Sequence, residues 1–508
     1  MNLGAVLLEA ANNAPDDAAV VAPQRETYGA LAAASGRLAA RLATQIQPGD
    51  RVVLLAGNDL AFVRAYVAIL TAGGVAVPVN GASPSRELAR EFTVVEPTMV
   101  VASGAFADLA RRACALCAAE VPVFVYDVAD RRPLPADPCS PVSRAADDLA
   151  VLLFTAGTAG APKPAMLTHG SLLANLQQMQ AHPGLRVHRD DVALAVLPLF
   201  HVFGLNVVLG LSLMAGGGVS LVDHFHPNET LTRVRADRVT VVAAVPAIFE
   251  AWVALDPAVA PANSFAQVRL CVSGAAPLRP ELVAAMRDRF AIGVHDGYGL
   301  TEASPVVTTS AIAPRPRPGS VGPPLPGVEV RLADADGQDV LDGDPGEILV
   351  RGANVFAGYW GDPQASARVL DHDGWLHTGD VGVADDDGWL ALVERVKDVV
   401  IVSGFNVYPG EVEQVIAQHA DVADVAVVGE PHPHTGETIV AYVVAKPGRD
   451  PDPVELLRHA GRRLARYKLP TRVELVDELP RSFAGKLLRR ELSSDAGSSP
   501  TPSGATTA

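Results

Sequence analysis

Thr155, Gly157, Thr158, Gly160 and Lys163 fall within one short stretch, FTAGTAGAPKPAMLTH (154–169). Glycines let backbone N–H groups converge on an anion, small hydroxyls add donors without bulk, and a lysine supplies a point charge for β- or γ-phosphate oxygens. The ligand that suits this pattern is a triphosphate. The stretch follows the apolar run LAVLLFT (149–155) and leads into what reads as a helix start, so the loop is expected between a strand and a helix. The common phosphate loop, GxxxxGK followed by Ser or Thr, is absent. Read alone, the stretch also suits a plain surface loop.

Elements able to position such a loop recur along the first two-thirds of the chain. RVVLLAGN (51–58) reads as strand then turn, and DLAFVRAYVAILTAGG (59–74) as a helix with Asp59 at its cap and glycine at its end. VAVPVN, LAVLLFT, VTVVAAVP (239–246) and VRLCVSG (268–274) read as further strands, and PELVAAMRDRF, opening on Pro280, as a helix. Alternating β and α with continuous apolar strands predicts an α/β fold, a large N-terminal domain of parallel-rich sheets covered by helices. APRPRPGSVGPPLPG (313–327) interrupts the pattern, and GVEVRLAD, GEILVRG and WLALVERV then predict a small β subdomain. Beyond ERVKDVV the texture shifts again. EVEQVIAQHA and PVELLRHAGRRLARY read as helices and ADVAVVG and TIVAYVVAK as strands, a smaller α+β C-terminal domain. The expected division is residues 1–395, residues 396–493, and a disordered tail, 494–508, without apolar pattern.

Composition sets outer limits. A chain of 508 residues exceeds what one core holds, so two or more domains are expected. A net charge of −16, from 57 acidic and 41 basic side chains, argues against nucleic acid or anionic lipid as a partner. Four cysteines make no disulfide framework in this length; the lone CxxC of Cys114 and Cys117 reads as structural, and a reduced, cytoplasmic compartment fits best. The N-terminal MNLGAVLLEAANNAPDD lacks a basic n-region and does not read as a signal peptide. The uncharged stretch 192–222 is long enough to span a bilayer, but Pro198, His201, Asn206 and the Gly216-Gly217-Gly218 break favour buried elements with a loop. No membrane span is expected; peripheral membrane contact and oligomeric state stay open. His432 and His434, in a Pro-rich turn, read as surface residues rather than metal ligands.

Six further stretches follow the loop in order: LPLFHVFGL (197–205), SGAAPL (273–278), DGYGLTE (296–302), WLHTGD (375–380), ERVKDVVIVSGFNVYPGEVE (394–413) and LPRSFAGKLLRR (479–490). The series resembles the adenylate-forming, or AMP-binding, superfamily of acyl-CoA synthetases and related ligases, most closely the fatty acyl-CoA synthetases. The resemblance implies that a carboxylate attacks the α-phosphate of ATP, pyrophosphate leaves, and a thiol then attacks the acyl-adenylate. It implies ATP, Mg²⁺ and the co-substrate CoA, with small molecules as the partners. Two anions meet in the first step, so cations and donors must face the α-phosphate. By resemblance Thr301 contacts that phosphate, and Glu302, with Thr155, serves the Mg²⁺. Tyr298 lies against adenine, with Asp296, Gly297, Gly299 and the backbone of Ala275, Ala276 and Pro277 completing the purine slot. Asp380 accepts the ribose hydroxyls and Arg395 adds a second ribose contact. Lys486 is the mobile lysine that grips substrate carboxylate and α-phosphate, and His201 lines the carboxylate channel. Lys397 matches the hinge about which the C-terminal domain rotates between half-reactions, and Gly404 with Phe405 then meets the pantetheine arm of CoA.

The chain departs from the family pattern in places. Ala156 stands where hydroxyl or glycine is usual, Ala159 where a hydroxyl is usual, Pro164 where glycine follows the lysine, and Ala484 where serine is common. Each alanine removes at most one donor, about 1–3 kcal/mol, so weaker ATP binding is expected rather than loss of activity. No acidic residue lies in LPLFHVFGL to pair with an amino-acid ammonium, and the segments 239–249, 274–276 and 297–299 are apolar and small. A medium- or long-chain fatty acid with CoA is the favoured reading. The alternatives are an aryl or other carboxylic acid–CoA ligase, and a degenerate acyl- or nucleotide-binding homologue.

Overall fold

β1 (Ala18–Ala22) and β2 (Glu26–Thr27) are followed by β3 (Arg51–Leu55), β4 (Val75–Pro78), β5 (Met99–Ala102), β6 (Val123–Val125), β7 (Leu149–Thr155) and β8 (Lys163–Thr168). The structure is a computed structural model. It describes residues 1–128, 134–155, 163–312, 316–341, 343–395, 400–402, 405–407, 409–432, 436–464, 466–481 and 487–494. One sheet has the order β6-β5-β3-β4-β7-β8. β3 pairs in parallel with β4 and β5, and β5 with β6, while β8 at the edge runs antiparallel to β7. Four of the five β3 residues are fully buried, as a parallel strand covered on both faces requires. The helix Leu60–Thr71 starts where Asp59 accepts from the N–H of Phe62.

The phosphate stretch corrects one expectation. Lys163 opens a strand, β8, where only loop was expected, and the helix begins at its end as His169–Ala181. Pro164 is accommodated because β8 is an edge strand. The Met166 N–H and carbonyl both pair with the segment 357–358, on the side away from β7. Alternate residues share a direction, so the N–H that Pro164 lacks falls on that outer side. The Pro164 carbonyl still accepts from Trp360.

β9 (Val192–Ala195), β10 (Gly218–Leu221), β11 (Val241–Ala244), β12 (Leu270–Ser273), β13 (Val294–Gly299) and β14 (Val306–Thr309) complete a second sheet, order β14-β13-β12-β11-β9-β10-β1-β2. From β13 to β1 the pairs are parallel. The segments that follow β9, β12 and β13 therefore leave the sheet at the same, carboxyl end, where open α/β sheets bind ligands. They carry His201, Ala275 to Pro277, and Thr301 with Glu302. The uncharged stretch 192–222 resolves into β9, a π-helix Phe203–Gly210 continued by Leu211–Ala215, and β10. Among the described residues no helix is long and apolar enough to cross a membrane. The core beside β11 is built on Trp252, whose ring meets Phe225, Phe249 and Phe265 edge-on.

The chain divides into two compact units. One comprises Met1–Arg331, Leu349–Thr378 and Gly388–Leu390, the other Leu332–Ile348, Gly379–Asp387 and Ala391–Ala508. β15 (Val328–Ala333), β16 (Gly346–Gly352), β17 (Leu376–Ala384) and β18 (Leu390–Arg395) form a four-stranded sheet in that order. In the second unit β19 (Val400–Val402), β20 (Phe405–Val407), β21 (Val422–His432), β22 (Gly436–Ala445) and β23 (Arg472–Leu475) form a sheet of order β20-β19-β22-β21, with β23 on β22. The period of two gives β21 and β22 two apolar faces. One packs on Val412, Ile416, Leu456 and Ala460 of the helices Pro409–Ala417 and Pro453–Gly461, the other on Leu479 and Leu492. The second helix ends at Gly461, short of the run to Tyr467 that its pattern suggests, since glycine is a poor helix former.

Candidate active site

Thr301 and Glu302 sit on a single 3-10 turn, Thr301–Ala303, directly after β13. Backbone approach is close here: a Cβ added at Gly299 would lie 2.2 Å from the Pro305 carbonyl oxygen, so no side chain fits. Four buried carboxamides hold the turn from behind. Asn354 donates to the Ala303 carbonyl at 2.9 Å and Asn206 to the Ser304 carbonyl at 2.8 Å. Asn175 exchanges two bonds with Val306, at 2.8 and 3.1 Å. Gln178 links Asn175 to Asn354, at 3.1 and 3.2 Å. All four side chains are buried. An unpaired amide in such a place costs about 1–3 kcal/mol, so the network fixes one conformation of the turn. Only Asn206 was singled out by the sequence reading, as a break in an apolar run. The available signal was lone amides inside otherwise apolar segments.

A second missed residue is Tyr359. Its hydroxyl donates to Glu302 Oε1 at 2.8 Å, and its ring lies with its centroid 5.5 Å from Lys163 Nζ. Lys163 is paired with Asp362 at 3.0 Å, and Asp362 also caps the helix Pro363–Val369 by accepting from Ala365. Burial first, and the Glu302 charge second, push the Tyr359 hydroxyl well above its ordinary range, so it remains a donor. Thr155, paired with Lys163 across the hairpin, donates its hydroxyl to the Lys163 carbonyl at 3.3 Å. Thr155, Lys163 and Tyr359 thus stand together, and Tyr359 joins them to Glu302. Gly157, Thr158 and Gly160 lie outside the described residues.

The residues expected to form the purine slot lie at the ends of two adjoining parallel strands, Ala275 to Pro277 shortly after β12 and Asp296 to Gly299 at the end of β13. Ser273 pairs with Asp296, which brings the ends of β12 and β13 side by side. A Cβ on Gly274 would lie 3.5 Å from the Gly297 carbonyl, an ordinary contact, and one on Gly297 a tight 3.2 Å from that of Thr308, so the two segments run close together. Ala275 has φ +67, a left-handed conformation costing about 1–2 kcal/mol for a residue with a Cβ; Ala276 and Pro277 follow it directly. Tyr298 is buried. Burial pushes the Asp296 carboxyl up to about 7, against a bond from the Gly297 N–H at 3.0 Å that favours ionisation.

His201 is exposed, and its Nδ1 accepts from the Phe203 N–H at 3.3 Å, which leaves the proton on Nε2. Desolvation holds it below the ordinary imidazole range, hence neutral at pH 7. Asn58 fixes the approach to His201, donating to the Leu197 carbonyl at 2.7 Å and accepting from the Leu199 N–H at 2.9 Å.

Asp380 belongs to the second unit, on β17, and Arg395 ends β18. Phe405 lies in β20, paired with Val402. Lys397, Gly404 and Lys486 lie outside the described residues, as do Ala156, Ala159, Ala484 and His434. Among the described residues no group of three or more His, Cys, Asp or Glu forms a metal cage. Magnesium uses one or two carboxylates and completes its shell with phosphate oxygens and water. Glu302, a hard and part-exposed carboxylate joined through Tyr359 to Lys163, fits that demand.

The comparisons with known proteins give the family. The model for AMP-binding enzymes matches residues 7–360, and that for the AMP-binding enzyme C-terminal domain matches residues 411–486. The chain belongs to the AMP-binding enzyme family. Feruloyl-CoA synthase of Amycolatopsis sp is 38% identical over 468 residues, covering 92% of this chain and 93% of that protein. Long-chain-fatty-acid–CoA ligase of Yersinia pestis is 37% identical over 486 residues, covering 88% and 85%. The crystal structure of ATP-bound MatB from Rhodopseudomonas palustris has a TM-score of 0.89 at 32% identity, covering 97% and 99%. The chain is an ATP-dependent acyl-CoA ligase of this family, using ATP, Mg²⁺ and CoA.

Proposed function

We propose that the acid activated is apolar, a medium- or long-chain fatty acid, joined to CoA through an acyl-adenylate with release of AMP and pyrophosphate. The observation that carries this reading is the environment of His201. The imidazole is neutral, no carboxylate lies in the 197–205 segment, and β11, which pairs with β9 just before that segment, is buried and aliphatic. Such a wall suits an alkyl chain and has nothing to meet an ammonium. A second reading, a hydroxycinnamate-type aromatic acid, is favoured by the 38% identity to feruloyl-CoA synthase.

The roles follow from charge. Lys163, with Thr155 and the hairpin loop, takes the β- and γ-phosphates. Thr301 and Lys486 face the α-phosphate as the carboxylate attacks, and Lys486 also draws in the substrate carboxylate. Glu302 holds Mg²⁺, which supplies neutralising charge to the phosphates. His201 positions the carboxylate with its Nε2–H. Asp380 and Arg395 take the ribose, and Asp296 to Gly299 with Ala275 to Pro277 the adenine. Lys397 serves as hinge and Gly404 with Phe405 receives CoA, the parts dividing at 395/396. Acyl-CoA formation across saturated acids of rising chain length and a set of ring acids tests the proposal. A single kcat/KM maximum among the alkyl acids supports it; a maximum at a ring acid transfers the assignment to the aromatic class.

A further inference from the structure

Three segments far apart in sequence meet at Tyr359. The ladder outside β8 fixes its backbone: Ala165 forms a bridge with Tyr359, and Trp360 donates to the Pro164 carbonyl at 2.9 Å. The Tyr359 N–H donates to Ser366 Oγ at 2.8 Å, and Phe356 packs edge-on against its ring at 5.0 Å. The Phe356 N–H in turn donates to the Glu302 carbonyl at 2.9 Å. The segment therefore grips Glu302 by its backbone and by its carboxylate. Gly358 makes the turn possible, with φ +108 and a hypothetical Cβ 2.7 Å from Ser366 Oγ.

Resting on the ligase reading above, we propose that Tyr359 is the positioning residue for the magnesium–nucleotide site. Its hydroxyl holds Glu302 Oε1 at 2.8 Å, which assigns the second carboxylate oxygen to the cation. Its ring face keeps the Lys163 ammonium, 5.5 Å away, on the phosphate side of the hairpin. One side chain thus orients both the carboxylate that binds the metal and the lysine that binds the anion. Partners that orient a metal-binding carboxylate act through that carboxylate and are costly to remove.

The test is calorimetric binding of ATP with Mg²⁺ and with EDTA, for the full chain and for Tyr359→Phe, Glu302→Gln and the double variant. Tyr359→Phe is expected to weaken the Mg²⁺-dependent part of ATP affinity by about 10–100-fold. Affinity in EDTA should stay nearly unchanged, and the Phe exchange should have no further effect once Glu302 is Gln. Equal losses with and without Mg²⁺, an unchanged Mg²⁺ dependence, or full additivity in the double variant would each overturn the proposal. Tyr359→His, which keeps a ring and a donor, replaces Phe if that variant does not fold; its Mg²⁺-specific loss should be the smaller. The readout is binding, so it stands apart from turnover. A chain with no acyl-CoA activity on any acid refutes the ligase reading, while the Mg²⁺ comparison still decides on Tyr359.

Discussion

His169 shows what a single buried group imposes. Its ring is fully buried, with Nδ1 accepting from the Leu3 N–H at 3.1 Å and Nε2 without a partner among the described residues. Burial, helped by the Arg144 charge, lowers its pKa to about 4. Between that value and the ordinary 6.5 the unfolded chain takes up a proton that the folded chain refuses. Stability conferred at neutral pH is therefore lost as pH falls through this window, by about 3 kcal/mol if the shift is fully realised. Thermal unfolding at neutral pH and near the lower end of the window checks this: His169→Gln should flatten the dependence. Nothing in the sequence marked this histidine, because its burial comes from contact with a segment 166 positions away. The cysteines were more legible. All four are free, and burial raises Cys114 to about 11, so the CxxC is an inert pair packed on the core.

At the scale of elements, hydrophobic period and caps carried most of the information. The helix Pro280–Phe290 and the strand Gly346–Gly352 coincide with the stretches read from the sequence, because Pro at a first turn and a short apolar run bounded by glycines are local signals. The strand β8 was not read at all and was taken as part of the loop before the helix, since its pairing with β7 and with 357–360 is set by distant residues. The carboxamide network was invisible for the same reason: an amide in an apolar helix reveals its partner only once the helix is packed. Asn354→Ala removes the donor to Ala303 and the 3.2 Å acceptor of Gln178, at a cost of about 1–3 kcal/mol. Urea unfolding should show that loss, and KM for ATP should rise because the Thr301–Ala303 turn is no longer held.

For the whole molecule, the ordered motifs made the family legible before any coordinates, while the substrate was not, because the segments expected to line its pocket are generic and aliphatic. The ligase account divides labour between half-reactions. Lys486→Ala should depress pyrophosphate release by about 100-fold or more, yet spare thioester formation from a supplied acyl-adenylate. Assaying the two half-reactions separately decides it, and equal losses would count against the alternation of parts. The central claim is tested most directly by product stoichiometry with Mg-ATP, the best acid and CoA. The account predicts AMP, pyrophosphate and acyl-CoA in equal amounts, with turnover dependent on all three substrates. ADP and phosphate in place of AMP and pyrophosphate, or no thioester from any acid while ATP still binds, would contradict it.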